Sequence, residues 1–362
     1  MRRVWRDMNS AVESILITGG AGFVGSSLAL HLKQHFPRTR VVCMDNLYRR
    51  GSELNLPRLQ SADIEFIKGD IRRAGEFPAG PFELVIECSA EPSVLAGYDG
   101  SPDYLMETNL MGTYRCLEQA RQWRSKTIFL STSRVYPISV LEQHPWSEQP
   151  TRFTWNEVPG AAISPRGVTE YCAMYAARSL YGWTKFASES LIEEYRAGFG
   201  LRAVINRCSV IAGPWQMGKV DQGVVALWVF RHYFGKPLKY IGYGGTGKQV
   251  RDMLHVADLC DLVTEQITHF DRWEGWLGNV GGGMDISASL LELTGICRRV
   301  VGRKVAMGAE AENRQADLRI FLADSSKLFA HTGWRPTRGV EKIVADVFDW
   351  VRANEKALQS LV

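Results

Sequence analysis

The 362-residue chain has no apolar run long enough to cross a bilayer, no C-x-x-C pair and no long basic run. It also lacks an internal repeat and any low-complexity tract. Each absence removes a class of protein. A membrane partner is not expected. The basic start Met1-Arg2-Arg3-Val4-Trp5-Arg6-Asp7 has no apolar core like that of a signal peptide, so residues 1–13 read as a flexible arm. The cysteines are an odd, dispersed set of seven (Cys43, Cys88, Cys116, Cys172, Cys208, Cys260, Cys297). That pattern fits small core residues in a reducing cytoplasm better than a disulfide framework. A mild net charge of +4 without a basic stripe argues against a nucleic-acid partner. With 45% hydrophobic and 23% charged residues, the chain can bury one large core or two smaller ones.

Ile15-Leu16-Ile17-Thr18 is a short apolar run stopped by glycines, the pattern of a buried strand. Thr18-Gly19-Gly20-Ala21-Gly22-Phe23-Val24-Gly25 follows, and helical spacing begins at Phe23. Val41-Val42-Cys43-Met44-Asp45 is a second strand ending in an acid. Strand, glycine turn, helix, strand and acid together form the dinucleotide fingerprint in its required context. Gly19 permits the tight turn, Gly22 lets backbone N–H groups approach a pyrophosphate, and Gly25 allows close packing. The helix N-terminus turns its partial positive charge toward the phosphates. A carboxylate at Asp45 accepts both adenosine ribose hydroxyls and repels a 2′-phosphate, which favours NAD. Arg49 and Arg50 keep NADP as an alternative.

Strand-like and helix-like stretches continue to alternate through Glu65-Phe66-Ile67, Leu84 to Cys88, Lys126 to Leu130 and Ala203-Val204-Ile205, with a helix from Asn109 through Arg124. The expected fold is α/β, a Rossmann-type doubly wound parallel sheet with a smaller C-terminal substrate lobe. Ligands then sit beyond the C-terminal strand ends, where Asp45, Asp70, Ala90 and Thr132 fall. Residues 136–180, rich in proline, glycine and aromatics, read as a long irregular excursion. The expected division is a dinucleotide-binding domain over 1–206 and a lobe over 207–362, with segments around 252–270 returning to the first.

Tyr181-Gly182-Trp183-Thr184-Lys185 places a phenol and an ammonium on one helical face. Ala187, Leu191 and Tyr195 would supply that helix's inward stripe. A free phenol, with a pKa of about 10, is too weak a base at neutral pH, and a nearby cation favours tyrosinate. Tyr181 can then take a proton from a sugar hydroxyl while Lys185 holds the nicotinamide ribose. Thr132 would orient the substrate oxygen.

With these motifs the sequence resembles the extended short-chain dehydrogenase/reductases that act on nucleotide sugars. The likeness runs from about Ser14 to about Val351. It includes Asp45-Asn46-Leu47, Gly69-Asp70-Ile71, Thr108-Asn109-Leu110-Met111-Gly112-Thr113 and Ser131-Thr132-Ser133-Arg134-Val135-Tyr136. It continues in Arg251-Asp252-Met253-Leu254-His255, Asn279-Val280-Gly281 and Arg314-Gln315-Ala316-Asp317. The resemblance implies catalysis by Thr132, Tyr181 and Lys185. It implies NAD held by Gly19, Gly22, Phe23, Val24, Gly25, Asp45 and Asn46, with Asp70, Ile71, Ala90, Asn109, Tyr181 and Lys185. The substrate, a nucleotide-diphosphate sugar, would meet Thr132, Ser133, Arg134, Arg251, Arg314 and Asp317, the two later arginines holding the diphosphate. A homodimer is also implied.

Within the family, Gly51, Asn55-Leu56, Asp221-Gln222-Gly223 and Gly247-Lys248-Gln249-Val250-Arg251 resemble epimerases acting at C2 of a CDP-linked 3,6-dideoxyhexose. Dehydratases of the family place Asp-Glu after the threonine. Ser133 and Arg134 stand there instead, so the acid that expels a hydroxyl is missing. A 4-epimerase, a dehydrogenase or reductase that releases its cofactor, and a dinucleotide-sensing binding protein are the alternatives. Glu91-Pro92 has no assigned role. Gly242 to Lys248 nearly spells a P-loop, but Gln249 stands where a Mg²⁺-binding hydroxyl is required. His31 and His35 share a helical face without further metal ligands.

Overall fold

Every residue of the first strand, β1 (Ser14–Thr18), from Ile15 onward is buried. Its side chains alternate between two cores, as strand geometry requires. Ile15 and Ile17 join Leu28 and Leu32 on one face of the sheet, and Leu16 joins Leu117 and Ile192 on the other. A strand buried on both faces reads as a continuous apolar run, which is why this one was legible. In the computed structural model, which describes residues 12–98, 100–218 and 223–359, β1 is central to a seven-stranded sheet.

The other strands are β2 (Arg40–Asp45), β3 (Glu65–Lys68), β4 (Leu84–Glu87), β5 (Lys126–Thr132), β6 (Ala203–Cys208) and β7 (Leu277–Val280). Their spatial order is β7-β6-β5-β4-β1-β2-β3, and every pairing is parallel. The order reverses between β1 and β4, so a crevice opens beyond their C-terminal ends. The main helices are α1 (Phe23–His35), α2 (Gly112–Trp123), α3 (Leu180–Phe199), α4 (Val224–Phe234), α5 (Val256–Thr268), α6 (Leu290–Val301) and α7 (Val340–Ala353). The helices α1 and α5 cover one sheet face, and α2 and α3 the other.

The C-terminal part of the chain thus contributes both α5 and β7 to the sheet domain. Its own core lies between α4, α6 and α7, where Val229, Leu293, Ile343 and Val347 are fully buried. The helical stretch expected from Asn109 is interrupted at its start by a π-helical turn over Glu107–Met111.

The segment after β5 is more ordered than its composition suggested. It holds a helix over Ile138–Gln143 and two hairpins, Trp146–Glu148 with Phe153–Trp155 and Ile163–Ser164 with Gly167–Val168. Tyr136, Phe153, Trp155 and Val168 pack with Leu318 to Ala323, so its aromatics are buried across a long sequence separation. The arm expected over 1–13 lies outside the described residues except for Val12 and Glu13. Val12 is buried, and its carbonyl accepts the Thr39 hydroxyl (2.8 Å). Asp221 and Gln222 also lie outside the described residues.

Candidate active site

The turn between β1 and α1 needs its glycines for identifiable reasons. Gly19 has φ of +66°, and a Cβ there would stand 2.8 Å from the Cys88 carbonyl carbon. A Cβ on Gly25 would stand 2.2 Å from the Gly19 carbonyl oxygen. No side chain caps α1, whose N-cap is Gly22, so its first-turn N–H groups face the crevice without a side-chain acceptor. Gly19, Gly22, Asp45, Asn46, Ile71 and Ala90 all line one cleft of about 1200 Å³ including its open mouth.

Other expected cofactor residues stand elsewhere. Phe23 and Val24 pack partly buried against the core beneath α1. The Asp70 carboxylate is taken up by Arg72 (2.6 Å to Nη2) and by Asn46 Nδ2 (3.1 Å), and the Arg72 bonds pull it down to about 2. Asn109 is fully buried and is not among the residues lining this cleft. Its side chain accepts from Glu91 N (2.8 Å) and donates to the Glu91 carbonyl (3.0 Å), so it shapes the loop after β4. Asp45 remains at the turn, accepting from Leu47 N (2.8 Å) and Ala21 N (3.2 Å), while desolvation raises its carboxyl.

Tyr181 and Lys185 lie in the first two turns of α3, which Ser179 caps through Gly182 N (3.0 Å). Both are buried, at 9% and 3% exposure, so they are no incidental surface pair. The inward stripe differs from the expected one. Ala187 and Leu191 are only half-buried, and the buried face is Thr184, Lys185, Ser188, Glu189, Ile192 and Tyr195. Polar residues occupy it because they are paired across the sheet. Glu189 accepts from Ser131 Oγ on β5 (2.5 Å) and from Arg207 Nη2 on β6 (2.7 Å). That clamp sets the helix carrying Tyr181 against two strands.

The charges around the pair also differ from the expectation. Burial raises the Tyr181 phenol, while a hydrogen bond with Thr132 and the positive charge of Arg134 bring it down. Arg134, which the helical spacing did not announce, is a cation that acts on it. Burial lowers the Lys185 ammonium, and the Glu87 carboxylate opposes this. Lys185 Nζ donates to the Leu130 carbonyl (3.1 Å) and lies 4.4 Å from the Phe129 ring centre.

A second pocket adjoins the first along the loop after β4. Ala90, Glu91 and Pro92 wall the cleft, and Val94 and Leu95 wall the pocket. Arg134, Arg251, Arg314 and Asp317 gather there from three distant segments, with Trp228 and Lys239. Arg251 Nη2 is paired with Asp317 Oδ1 (2.8 Å), and Arg134 Nη1 donates to the Ala316 carbonyl (3.1 Å). Burial and the neighbouring Arg251 charge hold Arg134 down to about 10. Ser133 is buried and does not line the pocket. Charges from both walls, Glu91 of the cleft and Arg134 of the pocket, act on Tyr181.

Fold and clefts together define a dinucleotide-binding α/β enzyme. The model of the NAD dependent epimerase/dehydratase family matches residues 15–281. The chain is 31% identical over 353 residues to CDP-paratose 2-epimerase of Salmonella typhi, covering 93% of this chain and 98% of that protein. It is 28% identical over 357 residues to dTDP-glucose 4,6-dehydratase of Salmonella typhimurium, covering 94% and 93%. The structure of the Thermus thermophilus UDP-glucose 4-epimerase complex with NAD matches at a TM-score of 0.70 and 26% identity, covering 94% of this chain and 99% of that one. The chain belongs to the NAD-dependent epimerase/dehydratase family of nucleotide-sugar enzymes, and its cofactor is NAD. The uncapped α1 terminus and the carboxylate at the glycine turn fit that group. No helix among the described residues is long and apolar enough to cross a membrane, and no cluster there has the makings of a metal site.

Sequence reading missed several residues that build this site. Val94, Leu95 and Trp228 carry no motif, and Lys239 carries no local signal. Glu87 ends an apolar strand and Glu189 lies four residues after Lys185 on the same helical face, and an acid inside a buried strand or helix face was the one available cue.

Proposed function

We propose that this protein epimerises a nucleotide-diphosphate sugar by transient oxidation to a keto sugar, and that the substrate pair is CDP-paratose and CDP-tyvelose, inverted at C2. The observation that supports this most is a buried Tyr181 that hydrogen-bonds Thr132, in a fold that carries both a dinucleotide cleft and an arginine-lined pocket. Bound NAD supplies hydride acceptance and return. Tyr181 takes the proton of the reacting hydroxyl and gives it back when the carbon is reduced from its other face. Thr132 holds the substrate oxygen, and Lys185 holds the nicotinamide ribose. Arg134 favours the tyrosinate, and Arg251 and Arg314 take the diphosphate.

Ser133 and Arg134 stand where elimination needs acids, which favours epimerisation over dehydration. The 31% identity to CDP-paratose 2-epimerase supports the choice of carbon and nucleotide. No net oxidation occurs, so the cofactor stays bound between turnovers. We place the enzyme in the cytoplasm as a homodimer.

The test is purified enzyme with CDP-paratose in deuterated water, and with substrate deuterated at C2. Inverted product that keeps its C2 label and takes none from solvent is the expected result. No inversion, or label lost to solvent, rejects the intramolecular hydride route.

A further inference from the structure

Two stretches have no part in the proposed reaction: the segment after Tyr136, with its helix and hairpins, and the turn over 242–248. Both meet at one residue, Arg319. Glu142, in the helix over Ile138–Gln143, accepts from Arg319 N at Oε1 (2.5 Å) and from Arg319 Nη1 at Oε2 (3.0 Å). The Arg319 guanidinium lies over three rings. These are Trp146 (4.1 Å to the ring centre) and Phe153 (5.6 Å) of the first hairpin, and Tyr243 (4.9 Å) of the turn. Aromatic faces attract a guanidinium, and Glu142 supplies its counter-charge. Neither Arg319 nor Glu142 lines the arginine pocket.

The residues just before Arg319 do line it. Arg314, Gln315 and Asp317 form part of the pocket wall. That wall is a strained turn: Ala316 has φ of +57°, in the left-handed region that a residue with a Cβ avoids. Such a conformation lasts only where its surroundings hold it. Arg134 Nη1 donates to the Ala316 carbonyl (3.1 Å). Upstream, Asn313 Oδ1 accepts from Tyr243 N (2.6 Å). Downstream, Arg251 Nη2 donates to Asp317 Oδ1 (2.8 Å) and to the Leu318 carbonyl (2.6 Å). Arg319 comes next, and its carbonyl accepts from Val250 N (2.9 Å), the residue before Arg251. The turn is thus fastened at both ends, and Glu142 grips the downstream end by main chain and side chain together.

We propose that Glu142 is a positioning residue: through Arg319 it fixes the turn over 314–318, and with it the aim of Arg251 and Arg314 at the substrate diphosphate. Arg251 takes its direction from two oxygens of this turn, Asp317 Oδ1 and the Leu318 carbonyl. A guanidinium recognises phosphate best when its planar fork is held in place beforehand. A wall ordered in advance also spares the substrate the cost of ordering it. The segment after Tyr136 and the turn over 242–248 thereby serve the sugar nucleotide from outside its pocket. The inference rests on the proposed diphosphate role of Arg251 and Arg314.

The experiment titrates purified holoenzyme calorimetrically with CDP, dTDP and UDP, and the nucleotide that the parent binds most tightly is the probe. Glu142→Ala and Glu142→Gln are compared with the parent, and kcat and retention of NAD are measured in parallel. Glu142→Ala should bind the probe about tenfold more weakly, the worth of a hydrogen bond to a charged group. Glu142→Gln keeps an oxygen for Arg319 N but not the charge, so it should bind about threefold more weakly. Only binding is touched, so kcat and NAD retention should match the parent's in both. Parent-like affinity in either variant overturns the inference. A fall in kcat and NAD retention as large as the fall in affinity also overturns it, because that marks a general loss of structure. Arg251→Met decides the underlying reading: if it binds the probe as tightly as the parent, the diphosphate role falls and the positioning role with it. Weaker binding by Arg251→Met beside parent-like binding by Glu142→Ala overturns the positioning role alone.

Discussion

Arg207 and Glu189 form an ion pair with Nη2 and Oε2 2.7 Å apart and side chains only 5% and 3% exposed. Ser131 completes the acid's bonding (2.5 Å), and Tyr136 Oη lies 3.3 Å from Arg207 Nη1. The group joins β5, β6 and α3 directly behind the candidate site. Removing one partner strands a charge in the core. Glu189→Ala should therefore lower the unfolding free energy by about 3–5 kcal/mol. A double variant with methionine at both positions should be more stable than the sum of the single changes implies. Denaturant unfolding measures both, and strictly additive effects would count against a coupled pair.

Asp45 lines the cofactor cleft beside Arg49 and Arg50. Replacing it with alanine removes the proposed acceptor of the ribose hydroxyls and a charge that would repel a 2′-phosphate. Asp45→Ala should bind NAD about tenfold more weakly, the worth of one hydrogen bond to a charged group, and should narrow the preference for NAD over NADP. Competitive titration with the two dinucleotides checks this. An unchanged preference would mean that discrimination lies elsewhere in the cleft.

Arg134 serves the pocket and the phenol together. Arg134→Met should raise KM for the nucleotide sugar by about tenfold, the loss of one charged hydrogen bond. It should also move the acid limb of the kcat profile to higher pH, because the cation that favours tyrosinate is gone. Lysine at this position should recover the pH profile better than the KM, since it keeps the charge but not the guanidinium fork. Steady-state kinetics over a pH series separates the two effects.

Asp252 accepts from Ser209 Oγ (2.7 Å) and Gly283 N (3.0 Å), yet burial pushes its carboxyl up to about 7. Between the ordinary carboxylate value and about 7, the folded chain holds a proton that the unfolded chain has released. The stability from this group is complete below the ordinary value and is lost as pH rises through about 7. Asparagine cannot ionise. Asp252→Asn should therefore gain on the parent in thermal midpoint as buffer pH rises from about 5 to about 8. A constant difference across that range would show that Asp252 does not titrate.

The local devices of this protein were legible because they are local. A strand buried on both faces must be apolar throughout, a tight turn with φ of +66° must be glycine, and the acid at Asp45 follows from chain spacing. Tyr181 and Lys185 share a face because a helix repeats every 3.6 residues. Period and steric rule determine such features before the chain folds. They do not determine which charges meet after it folds. Arg134 comes from the segment after β5, yet it acts on Tyr181 of α3. Glu87 comes from β4, yet its carboxylate is taken up by the Thr113 hydroxyl of α2 (2.5 Å).

The same limit explains the other differences. Asn109 was expected at the cofactor, but its amide is taken by the Glu91 backbone. The segment after Tyr136 was expected to be irregular, but its aromatics found Leu318 to Ala323. The composition of that segment signalled turns and could not signal a packing partner about 150 residues further along. The sequence by itself determined the sheet, the glycine turn and the helical pairing of Tyr181 with Lys185. Tertiary structure alone decided the burial of that pair and the charges around it, because desolvation and Coulomb energy depend on distances that only packing sets.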